Sequence, residues 1–297
     1  MKIKKSNSKI VFSIISYLFI GLFSLVCLIP FFLIVVASFT SENSILINGF
    51  SFYIPKGEFS LEAYRLILEN PITILRAYGV TIFVTIVGTV GAIVMATMTG
   101  YVLARKDFPW ANKLSFFFFF TTLFSGGLVP WYLLCTKVLH FTNQIYALIL
   151  PGLFSVWNMI IAKNFMKSIP YELIESGKID GAGDFKIYDS LVLPLCKPLL
   201  ATLGLFTALT YWNDWYNSML FIKNNDMVSL QYFLQNMFNS ADAIKRIAEL
   251  SGKYIQQMPM ESMKMAMLII TTGPMIFLYP FLQKYFVKGL TVGAVKG

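Results

Sequence analysis

Six long apolar runs, near residues 14–38, 78–103, 114–136, 144–163, 193–213 and 265–283, alternate with shorter polar segments along the chain. Each supplies roughly the twenty apolar positions that a helix needs to cross about 30 Å of hydrocarbon. The period-two alternation of a β-barrel strand is absent, and a lipid-exposed backbone must then satisfy its hydrogen bonds within a helix. The pattern predicts an all-α, polytopic membrane protein with six transmembrane helices. Residues 1–13 read as a charged tail and 14–297 as one transmembrane domain, its core at about 78–288.

The segments between the runs carry weaker signals. In "FSLEAYRLILENPITILRAYG", Leu61, Tyr64, Leu68 and, beyond Pro71, Ile74 recur at helical spacing, which predicts an amphipathic helix at the interface. The polar stretch 214–262 is too long for a mere connector and reads as a docking surface. Within it "SLQYFLQNMF" suggests one short helix and "SADAIKRIAEL" a second, capped by Ser or Asp. Five consecutive phenylalanines, Phe116 to Phe120, have no face preference, so lipid contact and helix packing are both open. In "FSGGLVP", Gly126, Gly127 and Pro130 predict a broken or kinked helix, tolerated where neighbouring protein satisfies the backbone. A phosphate there would meet no nearby cation, and no G-x-x-x-x-G-K-[ST] motif occurs, so ATP binding by this chain is not expected.

Composition agrees. Of 297 residues 57% are hydrophobic and 13% charged, against about a quarter charged in a soluble domain, and mean hydropathy is +0.67. Placing the N-terminus inside puts fourteen Lys and Arg on the short inner segments and nine on the longer outer loops. That density difference predicts both termini in the cytoplasm. The net charge of +9 then reflects topology and anionic lipid rather than nucleic acid. The start "MKIKKSNSK" is followed by an apolar run about twice signal-peptide length without a cleavage site, so an uncleaved first span is expected. Cys27, Cys135 and Cys196 have no metal-ligand spacing and read as buried small hydrophobes. His140 is the only histidine. No nucleophile–base pair and no metal constellation is expected, and hence no enzyme.

Between the fourth and fifth runs lies "SIPYELIESGKIDGAGDFKIYDSLVLPLCKPLL". Pro170 suits a first helical turn, and Glu172 and Glu175 near that end favour the helix dipole. The helix is expected to reach about Ile179, stopped by Gly181 and Gly183 through positive φ. Asp184 is expected to cap a second helix carrying Phe185, Tyr188 and Val192 at helical spacing. Pattern alone allows a solvated loop. It also allows a helix–turn–helix that passes a push from a cytoplasmic partner into the bilayer.

Glu175, Asp180, Gly181, Ala182, Leu193, Pro194 and Pro198 together resemble the EAA loop of permease subunits in bacterial ABC importers. "NFMKSIPYEL" and "YWNDWYNSMLFI" resemble the carbohydrate-importer, MalG-like branch of that family. "FSGGLVPWYL" and "YFVKGLTVGAVKG" are similar to its LplC/YtcP-like subgroup, and the likeness covers nearly the whole chain. One departure stands out: Ser176 and Gly177 replace the two alanines of Glu-Ala-Ala, and a mid-helix Gly costs about 1 kcal/mol relative to Ala.

The resemblance implies a type I importer fold in the bacterial cytoplasmic membrane, with ATPase-coupling residues at Glu172, Glu175, Gly177, Asp180, Gly181 and Ala182. It implies as partners a second six-helix permease, a cytoplasmic ATPase dimer that binds ATP and Mg, and an extracytoplasmic solute-binding protein. The implied substrate is a carbohydrate, an oligosaccharide above all. This chain itself would hold no cofactor. Glu175 has two readings, contact with the ATPase or balance of the helix end. For the substrate pathway the candidates are Tyr211, Trp212, Asn213 and Asp214 in "LTYWNDWYNSM". Aromatic faces beside amide and carboxylate groups hold sugars, but Trp and Tyr also anchor helices at interfaces. The alternatives are a non-sugar solute for the same machine, or a secondary transporter. Against the latter, the six runs place no ionisable group at mid-membrane, where ion coupling needs one.

Overall fold

The computed structural model describes residues 7–69, 71–251 and 259–276, and these are helical apart from connecting turns and one isolated bridge, Thr40 to Phe59. The expected end of the sixth span at 277–283, the C-terminal tail and residues 1–6 lie outside the described residues. The chain divides into two compact units, 1–71 with 237–273 and 72–236 with 274–297.

In the first unit, α1 (Asn7–Ser38) carries an almost entirely exposed apolar stretch, Val11–Ser38, with 6% of its most apolar window buried. Cys27 lies on this surface, so it is exposed rather than buried as expected. Ser41 caps α2 (Glu42–Asn48), accepting the Ser44 N–H. The Glu42 carboxylate accepts the N–H groups of Glu261 (3.0 Å) and Ser262 (2.9 Å), capping a helix over 260–276 from outside it. α3 (Glu62–Ile67) is shorter than the amphipathic pattern predicts. It buries Ala63 and Ile67, whereas Leu61 and Leu68 are exposed. Tyr64 stacks on Phe39 (centroids 5.1 Å) and donates to Ser38 Oγ (2.9 Å).

The second unit is organised around α4 (Pro71–Ala104), 34 residues long. Proline begins this helix instead of interrupting an interfacial one, because its missing N–H falls among the free donors of the first turn. Buried positions Ile74, Ala77, Thr81, Val84, Gly88, Ala92, Ala96 and Gly100 recur every three or four residues and form one stripe. The small residues in it set close crossings. A Cβ on Gly88 would lie 2.4 Å from the Tyr211 ring, and one on Gly100 would lie 2.7 Å from Ala162 Cβ.

The third apolar run breaks where its glycines predict. α5 (Ala111–Thr121) ends before the Ser-Gly-Gly stretch, Gly127 takes φ +84°, and α6 (Leu128–Leu133) restarts and widens into a π-turn at Leu134–Val138. Phe118 packs on Phe154 (5.2 Å), while Phe116, Phe117, Phe119 and Phe120 point outward. Two short 3₁₀ turns, Ile145–Leu148 and Leu150–Gly152, bend by 46° into α7 (Val156–Lys167). α8 (Glu172–Ile179) and α9 (Asp184–Lys186) follow. A π-turn, Ile187–Val192, then leads through α10 (Leu193–Leu195) to α11 (Lys197–Trp212) with an 83° bend. Beyond the short α12 (Tyr216–Phe221), α13 (Leu230–Ser251) runs as one helix where the pattern suggests two. Nothing at Ser240 or Asp242 breaks the helical backbone, and a residue with capping ability is not by itself a stop signal.

Among the described residues, two helices are long and apolar enough to cross a bilayer unaided, within α1 and α4. Up to four spans result if each bent pair counts as one.

Candidate functional site

Four elements of the second unit meet around α8: the end of α4, the end of α7, the π-turn and α11. Their shared core holds Tyr101, Ala162, Met166, Ile174, Ile187, Tyr188, Val192 and Cys196. The Tyr188 hydroxyl bonds Thr97 Oγ1 (2.8 Å) inside it. α8 therefore does not hang as a loop; it rests on the ends of α4 and α7.

The six sequence-predicted coupling residues separate into two sets. Gly177 faces inward with Ile174, and a Cβ there would meet Leu191 Cδ1 at 2.9 Å and Ile187 Cγ1 at 3.2 Å. The glycine that departs from the family's alanine thus lets α8 sit closer to the π-turn than alanine would. Ala182 is half-buried against the same core. Its N–H reaches Gly177 O (2.9 Å) while the Gly181 N–H reaches Lys178 O (3.0 Å). This is a Schellman closure, in which the residue after the helix adopts a left-handed conformation. Gly181 does so at φ +75°. Gly183 does not: its φ is −69°, so only one of the two glycines is needed for positive φ. Asp184 is the first residue of α9, not its cap.

Glu172, Glu175, Asp180 and Gly181 face outward. None of the three carboxylates has an ion-pair or hydrogen-bond partner among the described residues. Beside them Ile179 is 86% exposed and Phe185 69%. Unpaired acids and large apolar side chains thus share one surface, on and just beyond a helix packed from behind.

Sequence reasoning missed the clamp that fixes it. Arg105, just past α4, holds Asp107 through two bonds (2.8 and 2.6 Å) and reaches Asp184 with its other terminal nitrogen (2.5 Å). Lys178 on α8 closes on Asp107 from the opposite side. Four residues from three segments form one network, and Arg105 keeps only 13% of its side chain exposed. The only local signal was the Arg-x-Asp spacing; pairing across 71 residues of sequence is not legible in a single chain. Hydrogen bonds from Arg105 and Lys178 hold the Asp107 carboxyl well below the usual carboxylate range. The sign follows: a depressed carboxylate contributes its stability above its unfolded pKa, about 4, and loses it only as pH falls through the lower folded value. Thermal stability drawn from this network should therefore stay flat between about pH 5.5 and 8. A midpoint within that range that vanishes in Asp107→Asn would contradict it.

Gly181 offers a second check. Space around its Cβ position is open, so size alone is not the constraint; its φ is. Left-handed backbone costs an L-residue roughly 1–2 kcal/mol and Asn less. If this turn docks a cytoplasmic ATPase, as the resemblance implies, Gly181→Val should weaken that capture about tenfold, and Gly181→Asn much less. Equal effects would show that the turn conformation is not what matters.

Three of the four pathway candidates have a local hydrogen-bond partner, and the fourth, Trp212, buries its indole Nε1 without one. Tyr211 is 5% exposed, wedged between Gly88 and Gly152, with its hydroxyl donating to Ile149 O (2.7 Å). Trp212 is 4% exposed and packs with Ala77 and Leu230. Asp214 accepts the Asn217 N–H and its side-chain amide (3.0 and 2.7 Å). Asn213 alone is exposed, its Oδ1 accepting from Gln231 Nε2 (3.3 Å). Among the described residues no group of three or more His, Cys, Asp or Glu is placed to hold a metal ion.

Comparison with known proteins converges on this architecture. The chain is 36% identical over 286 residues to the polygalacturonan/rhamnogalacturonan transport system permease protein YtcP of Bacillus subtilis (strain 168), covering 96% of this chain and 98% of that one. It is 37% identical over 289 residues to protein LplC of the same strain, covering 97% and 95%. Among solved structures, a chain of a bacterial ABC transporter involved in the import of the acidic polysaccharide alginate superposes with a TM-score of 0.79. That match has 26% identity and covers 96% of this chain and all of that one. Residues 96–292, which include α8, the clamp and the π-turn, match the pattern of the binding-protein-dependent transport system inner membrane component. With that pattern over most of its length and the importer permease fold throughout, the chain belongs to the family of binding-protein-dependent transport system inner membrane components.

Proposed function

We propose that this chain is one permease subunit of an ATP-driven importer that carries an oligosaccharide into the bacterial cytoplasm, coupled to a separate ATPase through residues 168–190. The observation that carries the coupling is the outward face of α8. Glu172, Glu175 and the exposed Ile179 stand on α8, with Asp180 and the exposed Phe185 just beyond it, and the helix packs by its other face against α4 and the π-turn. A cationic, apolar-lined cleft on an ATPase dimer, which would bind the ATP and Mg, complements that face. Movement of the cleft would pass through the clamp into α4 and through the 83° bend into α11.

The chain has six spans in this reading, with both termini cytoplasmic, a topology that the Lys and Arg placement supports. The bent pairs, the interrupted run at 111–138 and the helix over 260–276 supply the four beyond α1 and α4. One such subunit encloses half a pathway, so a second six-helix permease completes it. A solute-binding protein delivers substrate to the outer loops. On the pathway we assign Asn213 to the substrate, with Tyr211, Trp212 and Asp214 holding it in place. The sugar assignment rests on the described substrates of YtcP and of the alginate transporter. Uronate-containing oligosaccharides therefore head the panel to test, beside neutral ones.

The decisive experiment is reconstitution of the chain with its co-purifying permease, ATPase and binding protein in proteoliposomes. Uptake should need ATP and the binding protein and survive an ionophore that collapses ion gradients. Uptake by the chain alone on a proton gradient would overturn the reading.

A further inference from the structure

Behind α8, between the ends of α4 and α7, lies a cleft of about 280 Å³. Its basic residues are Arg105 and Lys106 beside the end of α4 and Lys167 at the end of α7. The rest of the lining is apolar or aromatic, including Tyr101, Ile169 and Ile174, and none of the described lining residues is acidic. The three cations are not equivalent. Arg105 is committed to Asp107 and Asp184. Lys106 rests 5.2 Å over the Tyr171 ring, a contact that leaves its N–H donors free, and Lys167 is exposed. Neither lysine has a carboxylate partner among the described residues. Tyr101 is 5% exposed, and its hydroxyl lacks any hydrogen-bond partner. Burying a hydroxyl unpaired costs free energy that native structures seldom leave uncompensated.

We propose that this cleft is a binding site for a phosphate-bearing anion, with Lys106 and Lys167 supplying charge. The inference rests on the orientation given above, which puts the ends of α4 and α7 at the cytoplasmic surface, level with lipid headgroups. The mixed lining favours an amphiphile, the phosphodiester of an anionic phospholipid, over a free phosphate. Because Tyr171 and Ile174 belong to the α8 segment, an occupant would brace that helix against α4 and α7. Lipid composition would thereby influence how firmly the coupling helix is held.

The test uses the purified transporter complex and native mass spectrometry, which reads bound lipid whether or not transport occurs. Wild type from nanodiscs containing phosphatidylglycerol and phosphatidylcholine should retain phosphatidylglycerol selectively. Lys106→Gln/Lys167→Gln should lose that retention by about ten- to thirtyfold, since each lysine near a lipid surface contributes about a fivefold factor. Lys113→Gln/Lys186→Gln removes the same charge from the same end outside the cleft and should retain lipid as wild type does. If no lipid is held but labelled inorganic phosphate binds wild type and not the first pair, the site stands with a soluble occupant. Equal retention by all three proteins, equal loss in both pairs, or no binding of either probe overturns it. Absence of ATP-driven uptake by wild type would instead count against the importer reading and leave the retention result interpretable.

Discussion

Asp107→Ala is expected to leave the protein in the membrane but to cut substrate uptake at least tenfold while ATP hydrolysis persists. Two cations converge on this carboxylate, one from the end of α4 and one from α8. Removing it leaves Arg105, whose side chain is only 13% exposed, with Asp184 alone, and it frees Lys178 entirely. An exposed ion pair contributes little, but stranding a mostly covered guanidinium costs more. Because Asp107 itself is one-third exposed, roughly 1–2 kcal/mol is a fitting range, enough to let α8 shift when the ATPase moves. Asp107→Glu keeps the charge and should restore most coupling. The measurement is the ratio of sugar imported to ATP hydrolysed in proteoliposomes. An unchanged ratio in Asp107→Ala would remove the clamp from the mechanism, and equal defects in the alanine and glutamate variants would point to local folding instead.

Gly100→Leu should be the most damaging single change to the fold of the second unit. The Cβ position lies 2.7 Å from Ala162 Cβ and 2.9 Å from the Lys163 backbone nitrogen. Backbone atoms cannot swing aside as a side-chain tip can, so α4 and α7 must separate. The penalty belongs at the upper end of the roughly 1–3 kcal/mol typical of overpacking. Gly79→Leu on the same helix meets nothing within 4 Å. It should be neutral or mildly stabilising, since leucine is the better helix former by about 0.8 kcal/mol. Thermal melting of the detergent-purified protein compares the two, and similar melting temperatures would refute the close crossing.

Much of the architecture was legible because it depends on local chemistry. The end of α8 at Ile179 followed from the stop at Gly181, and the break after α5 followed from Gly126 and Gly127, whereas Pro170 lies ahead of the Tyr171 cap and not in the first turn. Other features depend on what lies opposite. Gly177 looked like a weakness in a helix until Ile187 and Leu191 appeared against it. Tyr211 looked like a sugar platform because an aromatic ring beside amides suits one. The two glycines that enclose it, Gly88 and Gly152, are 123 and 59 residues away in sequence. Arg105 and Asp107 attracted no notice, since a short basic turn between spans is ordinary and their partners come from α8 and α9. Periodicity reports which face is apolar, but not which element will cover it.

The π-turn at Ile187–Val192 also makes a demand on chain length. Such a turn accommodates one more residue than a regular helix would, and it sets the azimuth of everything upstream. Closing the turn into an ordinary helix without removing a residue would rotate Asp184 by about 100° about the axis. The carboxylate would then face away from Arg105, with every side chain of the clamp still present. The additional residue and the widened turn that absorbs it therefore belong together, and changing either one alone would unlock the clamp.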